Sequence, residues 1–213
     1  ESFAPDTALQ QVTDVPGVQA VTGILRRQFN LPSLGADNAL GSTTQIEVIG
    51  LDLNTVQNVR QFVMSDGRFL EADETGDVLL PAGIADFAPD LKLGTTFPMI
   101  TAGGLKFYTL VGLIAEEGSL STPQIYMSLP DAQAAFNQEG LINTVEVATE
   151  PGADRDTVSD AILARLGDNF KLDSGNDATA TFASLQVGFA MLNLFGILAL
   201  FLGAFLIFNT FRT

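Results

Sequence analysis

The chain has 213 residues, with 25 Asp and Glu against 10 Lys and Arg, no His, no Cys and a formal net charge of −15. That acidity excludes a nucleic-acid partner, whose phosphates need a basic face, and disfavours adsorption to an anionic membrane surface. Without Cys there is no disulfide framework or thiolate metal site, and without His there is no Ser-His-Asp or Cys-His nucleophile and little zinc chemistry.

Asp6 and Thr7 are placed to cap a short helix through Thr13, with Leu9 and Val12 on one face. Val15-Pro16-Gly17 predicts a turn, and Val18 to Ile24 alternates as a strand. Asn30 to Thr44, rich in Gly, Ser, Asn and Pro, predicts an exposed loop. Gln45 to Leu51 is a second strand, and Asn54 is placed to cap a short helix carrying Val56, Val59 and Phe62. Ser65-Asp66-Gly67 predicts a turn. Asp77 to Leu80 is a strand ending at Pro81, Ala82 to Phe87 a helical turn, and Leu93-Gly94 a break before a strand from Thr95 to Ile100.

Ala102-Gly103-Gly104 predicts a hairpin turn into Leu105–Ile114, the strongest strand pattern of the chain. Gln124 to Ser128 is a further strand. Ser128 with Asp131 forms a capping box for a helix through Gln138, ended by Gly140. Leu141 to Thr149 alternates again, and Pro151-Gly152 turns the chain. Asp154 to Leu166 is amphipathic, with Val158, Ala161, Ile162, Ala164 and Leu166 towards one side. Gly167 stops it, and Phe170 to Leu172 predicts a last strand. The sum is an α+β pattern.

Val187 to Phe208 (VGFAMLNLFGILALFLGAFLIF) holds no charged residue and one strongly polar one, Asn193. As a helix it would be about 33 Å long, a match to a bilayer core of about 30 Å. Arg212 follows it and points the C-terminal end to the cytoplasm, which puts the acidic region on the other side. Gly196, Ala199 and Gly203 fall near one face, a small-residue spacing that lets membrane helices pack closely, and Asn193 could hydrogen-bond a partner helix. No signal peptide is visible at ESFAPDTALQQV, so the expectation is that both ends are cuts in a longer protein.

No P-loop, Gly-x-Ser-x-Gly or Ser-x-x-Lys motif occurs in the sequence. Glu71-Ala72-Asp73-Glu74 and Asp173 to Asp177 gather carboxylates, but without EF-hand spacing, and solvated loops are the plainer reading. An Asp/Glu pair for glycoside hydrolysis has no distinguishing signal among 25 acids. No catalytic, metal or cofactor residue emerges.

The run Asp14-Val-Pro-Gly-Val-Gln-Ala-Val, then Glu47-Val-Ile-Gly-Leu-Asp, Asp66-Gly-Arg-Phe-Leu and Asp77-Val-Leu-Leu-Pro resemble successive segments of the MacB-like periplasmic core domain. So do Leu93-Gly94, the hairpin up to Val111-Gly112-Leu-Ile, and Ile125-Tyr-Met-Ser-Leu-Pro-Asp-Ala-Gln. The closing Leu-Ile-Phe-Asn209-Thr-Phe resembles the second transmembrane helix of FtsX-like ABC transporter permeases. The resemblance implies a two-lobed extracytoplasmic domain over 1–184. Its outer α/β lobe would span about 1–44 and 141–180, its β-rich lobe about 45–140, and a transmembrane helix would follow over 185–210. It implies a non-enzymatic permease subunit in the inner (plasma) membrane and a cytoplasmic ABC ATPase as partner, with ATP bound there and no cofactor in this chain. It also implies a second permease chain. A membrane-anchored binding or scaffold module and a tethered hydrolase are the alternatives.

Overall fold

The computed structural model describes residues 2–32, 43–83, 91–115, 124–167 and 170–172. Among them, eight strands make one mixed sheet and four helices pack on it. The strands are β1 (Val18–Pro32), β2 (Thr43–Leu51), β3 (Met64–Gly67), β4 (Asp77–Pro81), β5 (Thr96–Thr101), β6 (Gly104–Ile114), β7 (Gln124–Ser128) and β8 (Thr144–Thr149). The helices are α1 (Pro5–Thr13), α2 (Val56–Val59), α3 (Leu129–Phe136) and α4 (Arg155–Leu166). The sheet runs β3-β6-β4-β7-β2-β1-β8, with β5 added to β6 as a hairpin. Most neighbours are antiparallel, but β2 with β7 and β4 with β6 are parallel. The α+β class follows directly.

Because strand side chains alternate, each strand contributes to both faces. One face gathers Leu25, Val48, Val78, Leu80, Phe97, Met99, Tyr108, Leu110, Ile125 and Met127, with Ala132 of α3 set against it. The other gathers Ile24, Ile49, Leu51, Leu79, Ile114 and Tyr126 under Val56 of α2 and Leu70. A third cluster, Val12, Val15, Val158 and Ile162, joins α1 and α4 to the β1/β8 end. Gly50 of β2 faces Ala132 and Leu129 so closely that an added Cβ would collide with Ala132 Cβ. The close approach of α3 to the sheet rests on that missing side chain.

Several expectations need correction. α1 starts at Pro5, with Ala4 at its N-cap and no side-chain cap, so Asp6 and Thr7 lie inside the helix. Pro fits there because the first helical N–H has no partner to lose. β1 runs on to Pro32 and β2 starts at Thr43, so the predicted loop is shortened from both ends. Ser65-Asp66-Gly67 belongs to β3, which pairs with β6, and is not a free turn. Asn54 does not cap α2. Asp52 organises that turn, accepting from Asn54 N at 3.1 Å and Thr55 Oγ1 at 2.8 Å, and Phe62 lies past the helix. α3 ends at Phe136, its C-cap Asn137 turning left-handed at φ 52. Ala164 is exposed, whereas Val158 and Ile162 bury the inner face of α4. Phe170–Leu172 is not a strand; Phe170 meets Phe3 edge to face at 5.1 Å.

Half of the expected Ser128–Asp131 capping box forms: Asp131 N donates to Ser128 Oγ at 3.2 Å, but the Asp131 carboxylate accepts from Ser128 Oγ and Gly76 N and does not close back on Ser128 N. The described residues up to 170 form one compact unit. Among the described residues no helix is long and apolar enough to cross a membrane. The predicted span Val187 to Phe208 lies outside them, as do the Asp173–Asp177 cluster and most of the predicted turn Ala82–Phe87.

Candidate functional site

A group of polar side chains lies on the α2-covered face of the sheet, across β8, β1, β2 and β7. Thr22 opposes Glu146 across β1/β8, Gln28 opposes Glu47 across β1/β2, and Glu47 stands level with Gln124 across β2/β7. Alternation brings Arg26, two residues from Gln28, to the same face. Its Nη2 lies 3.0 Å from Glu146 Oε1 and its Nη1 3.9 Å from Glu47 Oε1. Gln124 Nε2 donates to Glu47 Oε2 at 2.9 Å, and Tyr126 Oη donates to Gln124 Oε1. Asn143 accepts from Arg26 N at 2.8 Å and donates to Arg26 O at 2.7 Å, doing the work of a strand residue past the end of β8.

Arg60, on the segment after α2, closes this group from above. Its Nη1 is 3.8 Å from Glu146 Oε1, and its guanidinium lies 4.6 Å from the Phe62 ring centre and 5.6 Å from that of Tyr126. Two arginines thus meet two glutamates. The group ties four strands and the covering segment together, and its carboxylates are held by cations rather than offered to a substrate. The Arg26 Nε is buried without a hydrogen-bond partner, a local cost to the fold.

The acidic run Glu71-Ala72-Asp73-Glu74 is organised by Arg68. The guanidinium contacts Glu71 at 3.5 Å, Glu74, and Asp77 at 2.8 Å. Glu74 is held below the usual carboxylate range by its hydrogen bond with Asp77 and then by Arg68. Burial and the same shared bond push Asp77 up against the pull of Arg68. A cation already sits among these oxygens, and it is the protein's own. Beside them, Asp131 Oδ2 accepts from Gly76 N and from Ser128 Oγ, both at 2.9 Å, linking the acidic loop to α3. Tyr108 points its hydroxyl into the core; burial, with the nearby Asp131 charge, pushes it up to about 12.

Two shallow clefts open on the surface. One, of about 330 Å³, is lined by Gln57, Gln61, Phe62 and Phe69; the other, of about 280 Å³, by residues including Asp52, Asn54, Ser128 and Gln133. Among the described lining residues Asp52 is the one ionisable group, and the α2 turn already uses it. Among the described residues no cluster of acids could hold a metal ion.

The feature that stands out as a contact surface is the β5–β6 hairpin. Its inner side carries Phe97, Met99 and Tyr108 into the core. Its outer side pairs Pro98 with Phe107 and Ile100 with Leu105. Ile100 is 71% exposed, Phe107 63% and Leu105 59%. Sequence reading placed the hairpin but missed this face, although the signal was present: β5 and β6 carry apolar residues on both alternating sides, which one buried face does not need. The predicted helix-packing residues Asn193, Gly196, Ala199 and Gly203 lie outside the described residues.

Comparison with known proteins matches this architecture. The MacB-like periplasmic core domain family matches residues 2–165. The extracellular domain of the noncanonic ABC-type transporter YknZ from Gram-positive bacteria superposes with a TM-score of 0.51 at 16% identity, over 75% of this chain and 78% of that one. The periplasmic region of MacB from Actinobacillus actinomycetemcomitans superposes with a TM-score of 0.52 at 12% identity, over 78% of this chain and 74% of that one. No curated protein sequence matches the chain. At these identities the structures speak for the fold, and the family match covers most of the sequence. The chain belongs to the MacB-like periplasmic core domain family.

Proposed function

We propose that this chain is the extracytoplasmic part, with one following transmembrane helix, of the permease subunit of an ABC transporter in the inner (plasma) membrane. The observation that carries the reading is the family match over residues 2–165, supported by a fold like that of the extracellular domain and the periplasmic region compared above. In this reading ATP binds and is hydrolysed on a separate cytoplasmic ATPase subunit or domain. The extracytoplasmic domain couples that hydrolysis to export, extraction or signalling outside. The domain contributes no catalytic group of its own. Its arginines and carboxylates tie strands and loops, which suits an element that must transmit force without deforming.

The two-lobed division belongs to the same proposal. What favours it is that the α1/α4 cluster is drawn from the outer segments and the two sheet-face clusters mainly from 45–140, although β1 and β2 join the two parts in one sheet. The helix over 185–210 would pack in a bundle through Gly196, Ala199, Gly203 and Asn193, beside a second permease chain.

The extracytoplasmic placement can be tested by cysteine labelling: the chain contributes no Cys of its own, and any Cys elsewhere in the full-length protein is first replaced by Ser. Gln57, exposed on α2, is replaced in the full-length protein by Gln57→Cys, and intact cells (spheroplasts if an outer membrane is present) are treated with a membrane-impermeant maleimide. Labelling before lysis is expected. Labelling only after lysis would put the domain in the cytoplasm and overturn the reading.

A further inference from the structure

We infer that the outer face of the β5–β6 hairpin is where the extracytoplasmic domains of two copies of this chain meet. The inference rests on the permease reading, which brings two such chains together, and goes beyond it by naming the surface.

Charge favours a second copy as the occupant. A chain of net charge −15 repels its own copy over most of its surface. The hairpin's outer face consists of Thr96, Pro98 and Ile100 on β5 and Thr109, Phe107 and Leu105 opposite them on β6. None of the six is ionisable, and Thr96 Oγ1 and Thr109 Oγ1 satisfy each other at 3.0 Å. Set against its own copy about a two-fold axis, this face brings apolar atoms together and no like charges. An acidic or basic partner would find nothing on it to pair with.

The face is also rigid. The hairpin turn is fixed to the end of α3: Gly103 N donates to Ala135 O at 2.7 Å, and Asn137 Nδ2 donates to Ala102 O at 3.1 Å. An added Cβ at Gly103 would collide with the Ala134 carbonyl oxygen, so the seat is tight. The inner residues Phe97, Met99 and Tyr108 are locked in the core. The apolar side chains therefore stand on a preorganised support and need little ordering on contact.

The mode of contact follows from the edge. Proline is tolerated in edge strands where its missing N–H faces outward, so Pro98 deprives the free edge of β5 of a donor. That disfavours addition of a partner strand and leaves face-to-face packing. Six residues a side is far short of the roughly 20–30 of a stable soluble interface. The contact is therefore built for chains already held side by side in the membrane, where effective concentration reaches the millimolar range or so.

The test uses the full-length protein in its native membrane, purified with whatever associates with it. Phe107→Cys and Leu105→Cys variants are treated with a short bis-maleimide, with Gln57→Cys as the off-face control. The inference expects most of the Phe107→Cys and Leu105→Cys chains to run as covalent homodimers and Gln57→Cys to stay monomeric. It also expects Phe107→Glu, which sets a carboxylate against its copy, to cut the Leu105→Cys cross-link at least five-fold. Monomeric hairpin variants that still co-purify with an ATPase would overturn the inference and leave the permease reading standing. Monomeric variants without an ATPase would overturn both. Equal cross-linking at Gln57, or protection of the hairpin cysteines by a different polypeptide or by lipid, would also overturn it.

Discussion

Gly50→Val is expected to cost roughly 3 kcal/mol or more, the upper end of overpacking penalties, and to lower the melting temperature of the purified chain by about 6–12 °C. Gly50 lies in β2, between β1 and β7, and its missing side chain is where α3 sits down on the sheet. A Cβ there collides with Ala132 Cβ and comes to 3.4 Å from Leu129 Cα. Leu129 is backbone at the first turn of α3, so the helix has to lift as a body. Lifting it exposes Ala132 and Ala135 and pulls on the Ser128 cap and on the Asp131 bond to Gly76. Ala132→Gly in the same chain removes the nearest obstacle, at a helix-propensity cost of about 1 kcal/mol. Melting followed by circular dichroism should show the double variant above Gly50→Val alone. A double variant no more stable than the single one would mean that Ala132 is not what limits the approach.

Leu79→Ala should have an effect of similar size from the opposite defect. β4 lies between β6 and β7, and Leu79 stands level with Gly112 on one side and Tyr126 on the other. It is fully buried among Ile24, Ile49, Leu51, Val56, Leu70, Ile114 and Tyr126. Truncation leaves a cavity that central strands cannot collapse to fill, for an expected loss of about 2–5 kcal/mol. The same melting measurement should drop by about 4–20 °C. A change under about 2 °C would show that this face of the sheet is less tightly packed than described.

How much of this was readable in the residues depended on how local the cause was. β6, β7 and the Ser128 cap of α3 were legible because alternation and capping are written in neighbouring residues. β1 was cut short because Arg26, Arg27 and Gln28 look like the end of a strand. They continue it because Glu47, Glu146, Ser2 and Gln138 take up the arginine charges and donors from elsewhere in the chain. Ser65-Asp66-Gly67 has turn composition but is captured by β6, a tertiary partner. The parallel pairings of β2 with β7 and of β4 with β6 join segments far apart in the chain, and no local pattern encodes them. Of the candidate sites, the acidic run Glu71–Glu74 was visible as a cluster, but its counterion, Arg68, was not assigned to it. The exposed hairpin face escaped notice because an apolar residue on a strong strand pattern is read as core by default.

A permease subunit that works with an ATPase should bring that ATPase with it when the full-length protein is purified from detergent and what accompanies it is identified by mass spectrometry. A P-loop ATPase is expected in near-equal amount, as a separate subunit or in the same reading frame. A protein that emerges alone, with no ATPase domain of its own, would contradict the permease reading and make the chain a membrane-anchored binding module.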